Sequence, residues 1–285
     1  MIGKEKQAEF LLEAMPYIKK YHNKILVIKY GGNAMIDEEM KRSVMRDLTY
    51  LCSVGIQVVL VHGGGPEISE TMNRMGIESK FIGGLRYTDA ETAEVVRMVL
   101  AGKINKTLVH MLGSLGARAV GLCGIDGGML RCEKESEELG YVGKIVGVDT
   151  DLIVNSLDNG YIPVISSVGY DDEGHIYNVN ADSAASAIAG ALKAESLILM
   201  TDIRGLLKDK DDENSLIKRV FVSDIPSLAK DGIISGGMIP KVNCCKEAIR
   251  RGVNRVFITD GRVKHSILLE LLSDEGLGTM FVKGD

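Results

Sequence analysis

The sequence predicts an α/β protein with a mainly parallel sheet that helices cover on both faces. Several segments are continuous apolar runs, which is typical of strands buried on both faces: residues 25–29, 56–62, 162–167, 197–201 and 256–259. Patterns with helical spacing lie between them, as in the βα units of parallel sheets. Glycine contributes 33 of 285 residues and tryptophan is absent, which fits many tight turns better than an aromatic-rich β-sandwich. The length suits two domains or one large α/β unit.

The first predicted element is an amphipathic helix over residues 5–21. Its apolar residues share one stripe at helical spacing: Ala8, Leu11, Leu12, Met15 and Ile18. Pro16 is expected to kink or shorten this helix because proline removes a backbone donor. Two interpretations of the stripe are open: the helix packs on its own domain, or it is an arm that docks on another subunit.

Strand–turn–helix units follow. The run 25–29 ends in Lys29 before Gly31 and Gly32, and the run 56–62 ends before three glycines and a proline. Helices are predicted over residues 38–54 and 67–75, and an alanine-rich helix follows residue 183. Between residues 118 and 150 the pattern changes to short β-like pieces with glycine-rich turns, which indicates hairpins at an edge. Residues 208–214 are polar and are predicted to form a solvated loop.

Charge and cysteine content exclude several classes of protein. The net charge is −5, so the basic footprint that nucleic-acid binding requires is missing. Five scattered cysteines without a C-x-x-C pair indicate reduced thiols. No apolar stretch reaches the roughly 18 residues of a membrane span, and the N-terminus lacks a signal-peptide pattern. We therefore expect a soluble cytoplasmic protein.

Glycine turns at the carboxyl ends of predicted strands indicate an anion pocket. Such turns let backbone N–H groups approach an anion, and a following helix N-terminus adds a favourable dipole. The turns are Lys29 to Asn33, His62 to Gly65 and Thr201 to Gly205. Any single Gly-Gly pair is equally consistent with a tight turn.

Common nucleotide and metal motifs are missing from the sequence. It contains no G-x-x-x-x-G-K-[ST], no G-x-G-x-x-G after a strand and no H-R-D loop. The histidines show no ligand spacing, so each is interpreted as structural: His22, His62, His110, His175 and His265.

Two further segments carry chemistry-bearing residues. The run NVNADS places Asn178, Asn180 and Asp182 before the alanine-rich helix; Asp182 or Ser183 could equally be its N-cap. The run SGGMIPKV places Lys241 at a helix start, where a cation is disfavoured unless an anion is present.

With these segments the sequence resembles the amino acid kinase family, in the branch that phosphorylates N-acetyl-L-glutamate. The resemblance covers Lys24 to Met280 and rests on these runs, in this order: VIKYGGNAM, LVHGGGPEIS, GLRYTD, GYIPVIS, NVNADSAA, LILMTDIRGLL and GGMIPKV. It implies an αβα sandwich around a mainly parallel eight-stranded sheet. It also implies an acyl-substrate and dimerisation lobe at 23–178 and a nucleotide lobe at 179–285, preceded by an interlacing helix at 1–22.

The resemblance implies a role for each site residue. Lys29 and Lys241 would stabilise the transferring phosphoryl group, and Asp182 would hold the two lysines. Arg86 would bind the substrate α-carboxylate. Four further residues would complete the substrate site: Gly64, Gly65, Asn178 and Asn180. The nucleotide would be lined by Gly31, Gly32, Thr201, Asp202, Gly205, Leu206, Gly236, Gly237 and Met238. Mg²⁺ would arrive with ATP.

The leading helix resembles that of the arginine-inhibited hexameric members, which are trimers of dimers. L-Arginine would then bind beside this helix and the C-terminal segment, at Tyr17, Lys208, His265, Glu270, Gly276 and Gly278. Some members bind a PII-type signalling protein, which makes such a protein a candidate partner.

Two alternatives to this activity stay open at this point. The first is a sibling kinase with another carboxylate acceptor. The second is an amino-acid sensor that binds ligand without turnover, although a sensor has no need of two phosphoryl-facing lysines.

Overall fold

The structure is a computed structural model that describes residues 4–35, 37–274 and 276–284. The strands within this part are β1 (Ile25–Tyr30), β2 (Gln57–His62), β3 (Phe81–Ile82), β4 (Leu85–Arg86), β5 (Ala119–Cys123), β6 (Leu130–Lys134), β7 (Val142–Val148), β8 (Ile162–Ser166), β9 (Val168–Tyr170), β10 (Ile176–Val179), β11 (Ser196–Thr201), β12 (Arg219–Phe221), β13 (Arg255–Asp260) and β14 (Thr279–Val282).

The α-helices are α1 (Lys4–Tyr21), α2 (Glu38–Ser53), α3 (Gly65–Arg74), α4 (Ala90–Arg97), α5 (Asn105–Ser114), α6 (Asp151–Asp158), α7 (Ala181–Ala191), α8 (Ile225–Lys230), α9 (Met238–Arg250) and α10 (Ser266–Leu271). A π-helical segment, Met98–Ile104, joins α4 to α5. Short 3₁₀ turns occur at Gly32–Met35, Asp126–Gly128, Glu137–Leu139, Glu213–Ser215 and Val222–Asp224.

Eight strands form the main sheet, in the order β12-β14-β13-β11-β1-β2-β8-β5. The six strands from β13 to β5 are parallel to one another, and β14 runs antiparallel to β13. The predicted mainly parallel eight-stranded sheet is therefore confirmed. Its central strand, β1, has one neighbour on each side, and its carboxyl end meets those of β2 and β11 at one edge.

Helices cover both faces of this sheet. Successive residues of β1 belong to two separate hydrophobic cores: Leu26 and Ile28 pack with α2, α4, α5 and α10, whereas Val27 packs with α6, α7, α8 and α9. A strand buried on both faces requires a continuous apolar sequence, which explains the run at 25–29. The predicted three-layer αβα sandwich is confirmed.

The segment 118–150 differs from its prediction. The first piece, β5, forms no hairpin and is the parallel edge strand of the main sheet. The next two pieces, β6 and β7, form the expected antiparallel pair, but they close into a small four-stranded sheet with β9 and β10. The prediction was wrong for β5 because the pattern within 118–150 does not reveal pairing with the distant β8.

The N-terminal helix runs from Lys4 to Tyr21 with Pro16 inside it, so the predicted shortening does not occur. Within the stripe, the side chains of Ala8 and Leu11 lie outside the described residues. Leu12 and Met15 are exposed at 64% and 44%, which favours the interpretation as an arm over packing on its own domain.

No helix in the described ranges combines the length and hydropathy that a membrane span requires.

Candidate active site

Lys29 lies at the carboxyl end of the central strand. Its strand is buried, and its own exposure is 8%. Register pairing places Lys29 beside Val61 of β2 and Leu199 of β11. The chain then turns through Gly31 and Gly32, whose φ is +71°. The ammonium group thus lies at the carboxyl ends of the adjacent strands, where a cleft opens.

Asp182 is the second residue of α7, and both oxygens of its carboxylate face lysines. Lys29 Nζ lies 2.8 Å from Oδ1, and Lys241 Nζ donates a hydrogen bond of 3.0 Å to Oδ2. Burial alone raises the pKa of this carboxyl, but the two ammonium groups outweigh it and hold the pKa below its usual value. Asp182 is therefore a carboxylate shared by two cations.

The N-cap of α7 is Asn180, not Asp182 or Ser183. Asn180 Oδ1 accepts hydrogen bonds from the backbone N–H groups of Asp182 (3.0 Å) and Ser183 (3.1 Å). This cap fixes the first turn of the helix, and the Asp182 carboxylate is left free for the lysines. Asn180 was predicted to bind substrate. Its side-chain oxygen Oδ1 is engaged as the cap, and the residue is exposed at the cleft.

Lys241 is the fourth residue of α9, directly after Pro240. A lysine in the first turn of a helix faces the positive end of the helix dipole. Asp182 supplies the compensating charge, which accounts for the unusual placement noted in the sequence. Gly236 and Gly237 precede the helix and are exposed.

The glycine turn after β2 leads directly into α3. Gly64 is the N-cap of α3 and makes no side-chain cap, and within the described ranges the N–H groups of Gly64 and Gly65 have no protein acceptor. A Cβ on Gly64 would lie 2.2 Å from Ile104 Cδ1 and 2.8 Å from Leu100 Cδ2. A side chain at this position would therefore displace Ile104 and Leu100 of the π-helical segment.

Arg86 is a buried cation held by neutral groups. It donates to Ser79 Oγ (2.8 Å), Ser69 Oγ (2.7 Å) and the Gly65 carbonyl (2.9 Å), and it stacks on the Phe81 ring at 4.8 Å. Among the described residues no carboxylate pairs with it, and burial lowers its pKa. A buried guanidinium without a protein anion is suited to bind the carboxylate of a ligand.

These residues line one cavity of about 210 Å³. Its wall includes Lys29, Gly31, Gly32, Gly64, Gly65, Arg86, Asn178, Asn180 and Asp182. Asn178 Nδ2 donates to Thr88 Oγ1 at 3.1 Å. The predicted catalytic and substrate residues, except Lys241, are thus brought together around a single cavity.

A second cavity of about 920 Å³ adjoins the first, since Gly84, Leu85, Val142, Asn180 and Asp182 line both. Lys241 lies on its wall with two of the predicted nucleotide residues, Gly236 and Gly237. Cys244, which the sequence did not single out, also lines it, and burial raises the pKa of this thiol to about 11. The shared carboxylate therefore stands between the two cavities.

Five predicted nucleotide residues line neither cavity: Thr201, Asp202, Gly205, Leu206 and Met238. The Thr201 hydroxyl donates to Asp202, and the buried Leu206 donates its N–H to Thr279 Oγ1. Gly205 has φ +151°, and a Cβ there would lie 2.6 Å from Thr279 Oγ1. The turn after β11 is thus tied to β14, and glycine is needed there for backbone geometry.

The residues predicted to bind arginine are only partly grouped. Glu270 is buried and accepts hydrogen bonds from the N–H groups of Leu277 and Gly278, both at 2.9 Å. Gly276 lies against the same carboxylate. The Tyr17 hydroxyl donates to Asp274, which is close to Glu270 in the sequence. His265 instead contacts Asp47 of α2 at 2.6 Å. The exposed Lys208 donates its N–H to Ser215.

One cluster with metal-ligand spacing occurs in the part of the chain that the structure describes. It consists of Asp171, Glu173 and His175 in the turn between β9 and β10. None of the three lines either cavity. Asp182, whose two oxygens face lysines, is likewise no free ligand.

The fold and this site define the class. The family model for the amino acid kinase family matches residues 24–260, and the chain belongs to that family.

More specific relatives are proteins named acetylglutamate kinase. The one from Brachyspira hyodysenteriae is 56% identical over 284 residues, covering 99% of each chain. The one from Clostridioides difficile is 53% identical with the same coverage.

Solved structures share the fold at low identity. A Neisseria gonorrhoeae N-acetylglutamate synthase complexed with coenzyme A and N-acetyl-glutamate has a TM-score of 0.84 and 24% identity. The match covers 98% of this chain and 64% of the synthase chain. Carbamate kinase from Giardia lamblia bound to AMP-PNP has a TM-score of 0.68 and 18% identity, covering 92% and 99% of the two chains.

Proposed function

We propose that this protein transfers the γ-phosphoryl group of ATP to the γ-carboxylate of N-acetyl-L-glutamate, a step of arginine biosynthesis. The products are N-acetyl-L-glutamyl 5-phosphate and ADP. The observation that carries the proposal is the Lys29–Asp182–Lys241 cluster, which places two cations at the junction of two cavities. The relatives named acetylglutamate kinase, above 50% identity over nearly the whole chain, support the same activity.

The chemistry needs charge stabilisation and positioning more than proton transfer. A carboxylate oxygen of the acceptor attacks the γ-phosphorus, a new O–P bond forms, and the bond to the bridging oxygen of ADP breaks. The acceptor is already ionised at neutral pH, so no general base is required. Charge on the transferring phosphoryl is what the enzyme must stabilise. Lys29 and Lys241 supply it, and Asp182 limits the repulsion between them.

Arg86 gives the first cavity its preference for an amino-acid derivative. Its guanidinium lacks a protein carboxylate among the described residues and is held rigid by Ser69, Ser79 and Gly65. It binds the α-carboxylate of the substrate, while Gly64, Gly65, Asn178 and Asn180 surround the rest of the molecule. The γ-carboxylate then points to Lys29 and the shared carboxylate.

The second cavity receives ATP. Gly236, Gly237 and Lys241 lie on its wall, and Mg²⁺ enters with the phosphates as part of the substrate. The remaining predicted nucleotide residues, including Thr201 and Leu206, would act from the turn after β11. In this arrangement residues 23–178 form the acyl-substrate and dimerisation lobe, and residues 179–285 form the nucleotide lobe.

The exposed side chains of Leu12 and Met15 on α1 support assembly into a homohexamer through residues 1–22, with L-arginine as a feedback inhibitor at the C-terminal segment. The contact between Tyr17 and Asp274 supports this placement, because it joins the helix to that segment. A PII-type signalling protein is a further candidate partner.

A hydroxylamine trap tests the activity. The purified protein is incubated with MgATP, hydroxylamine and N-acetyl-L-glutamate, and hydroxamate and ADP are measured. L-glutamate, L-aspartate and UMP run in parallel. We expect hydroxamate and stoichiometric ADP with N-acetyl-L-glutamate alone.

Two results would contradict the proposal. Hydroxamate with another acid in the panel would identify a sibling kinase. Folded protein that binds N-acetyl-L-glutamate but yields neither hydroxamate nor ADP would be a sensor.

A further inference from the structure

His62, the last residue of β2, is fully buried and yet adjoins the glycine turn of the substrate cavity. It does not line the cavity, whereas Gly63 and Gly64 do. Its ring contacts are with Gly63 and Asn105. The catalytic scheme above gives this imidazole no role.

The contacts of Asn105 determine which ring nitrogen carries the proton. Asn105 Nδ2 lies 2.8 Å from the Val164 carbonyl and 3.1 Å from the Leu122 carbonyl, so this atom must be the amide nitrogen. The same nitrogen lies 3.2 Å from His62 Nε2. The amide NH2 group has two hydrogens for three neighbouring acceptors, and it cannot itself accept a hydrogen bond. A proton on Nε2 would therefore face a donor, so the neutral ring carries its proton on Nδ1. Burial lowers the pKa of His62 to about 4, so the ring stays neutral in the working pH range.

The Nδ1–H group then donates to the carbonyl oxygen of Gly63, at 3.0 Å. The N–H of Gly63 donates to the Tyr30 carbonyl at 3.2 Å. Gly63 is therefore held on both sides, to β1 through its N–H and to His62 through its carbonyl.

This arrangement sets the direction of the next N–H group. In a trans peptide the carbonyl and the following N–H point in opposite directions, and the structure contains no cis peptide among its described residues. With the Gly63 carbonyl turned toward the buried ring, the Gly64 N–H points away from the ring, on the side of the cavity. No acceptor for the Gly64 N–H occurs among the described residues.

We propose that His62 is a positioning residue: its Nδ1–H holds the Gly63 carbonyl and thereby aims the Gly64 N–H at the oxygen of the carboxylate undergoing phosphorylation. Asn105 fixes the tautomer that makes this possible. The inference rests on the proposed function. A donor fixed before the reaction stabilises developing charge without reorganising.

Two substitutions separate this role from packing. His62→Asn places an amide N–H near the position of Nδ1, whereas His62→Gln places its amide near Nε2 and leaves the Gly63 carbonyl without a donor. We expect His62→Asn to keep kcat within about threefold of wild type. His62→Gln should lower kcat about 10- to 100-fold. This is part of the roughly 10²- to 10³-fold increase in kcat that one oxyanion donor contributes. The KM for ATP should stay unchanged in both, and exposed His110→Asn serves as the matched control.

A spectroscopic measurement on the unsubstituted protein makes the test independent of whether His62→Gln folds. In ¹⁵N-histidine-labelled protein, the His62 signals, identified by their loss in His62→Asn, should show a neutral ring protonated at Nδ1. A ring protonated at Nε2 would overturn the proposal. Equal losses of kcat in folded His62→Asn and His62→Gln would also overturn it.

The outcomes separate the two proposals. If wild-type protein forms no hydroxamate from N-acetyl-L-glutamate, the proposed function fails, and the role of His62 fails with it. If wild-type protein is active and His62→Gln matches it in kcat, the function stands and the positioning role is refuted.

Discussion

Lys241 Nζ donates a 3.0 Å hydrogen bond to Asp182 Oδ2, although the two residues are 59 positions apart. Both lie in the first turn of their helices, α9 and α7. The bond thus joins two helix N-termini, whose dipoles add positive potential at one point. An anion arriving there meets two ammonium groups and two helix ends, with a single carboxylate keeping the cations together.

Removing the charge of that carboxylate should disable the site. We expect Asp182→Asn to lower kcat by about 100-fold or more, because a neutral amide leaves the two ammonium groups to repel each other. ADP release under saturating substrates measures this. The exposed Asp158→Asn is the control. Asp182→Asn with kcat within threefold of wild type, in folded protein, would refute the role of the carboxylate.

Each lysine should contribute separately to the rate. Lys29→Ala and Lys241→Ala are each expected to lower kcat by orders of magnitude with the fold intact, since each removes a charge that faces the phosphoryl group. Single-turnover kinetics and thermal unfolding are the measurements. The exposed Lys230→Ala should behave as wild type. A variant with nearly normal kcat would remove that lysine from the mechanism.

Arg86→Lys should affect one substrate and not the other. A lysine cannot reproduce the planar fork that reaches Ser69, Ser79 and Gly65. We expect the KM for N-acetyl-L-glutamate to rise about 10- to 100-fold while the KM for ATP changes less than about threefold. Arg46→Lys, on the exposed side of α2, is the matched control. Equal changes in both KM values would show that Arg86 is not specific to the first cavity.

The buried His62 should make the fold sensitive to acid. Burial lowers its pKa from 6.5 to about 4, so between these values the unfolded chain binds a proton that the native protein does not. The contribution of His62 to the free energy of unfolding is fully present above about pH 6.5 and is lost as the pH falls toward 4. The effect amounts to about 3 kcal/mol at most, taking about 1.4 kcal/mol per unit.

Urea unfolding from pH 4 to 7, at fixed protein concentration, measures this sensitivity. His62→Asn should flatten the profile relative to wild type, and His110→Asn should leave it unchanged. Parallel profiles for wild type and His62→Asn would show that His62 does not cause the acid sensitivity.

Deletion of residues 1–22 tests the arm. We expect the truncated protein to be a dimer that has lost inhibition by arginine, because the exposed Leu12 and Met15 and the Tyr17–Asp274 contact are all removed. Light scattering and the hydroxamate assay with arginine measure both effects. Tyr17→Phe in the full chain removes only the hydroxyl contact. A truncated protein that stays hexameric would refute the interpretation as an arm.

The fold was largely predictable because parallel strands buried on both faces appear as continuous apolar runs. The strands at 25–29 and 56–62 and the helix α2 lie where the sequence placed them. The segment 118–150 was less predictable because β5 pairs with β8, and β6 and β7 pair with β9 and β10, all beyond the segment. Local spacing carries no information on such partners.

At the site, the sequence identified the charged residues but not their supports. Asn180, Asp182 and Ser183 are all capable N-caps, and the end of β10 determines which one caps α7. Ser69 and Ser79, which hold Arg86, are ordinary surface-type residues in sequence. Only the folded chain brings Ser69 of α3 and Ser79 of the loop after α3 to the guanidinium. His62 was predicted to be structural, and its hydrogen bond to Gly63 became visible only in three dimensions.

The strand order also constrains how this chain is made. β1 lies between β2 and β11, which are residues 57–62 and 196–201. Synthesis proceeds from the N-terminus, so the strand that carries Lys29 keeps one unpaired edge until residue 201 has left the ribosome. An open edge is a template for wrong pairing. Translation of residues 63–201 is therefore the interval in which this protein is most exposed to misfolding. Neither substrate can stabilise the nascent chain at a complete site before Lys241 is translated.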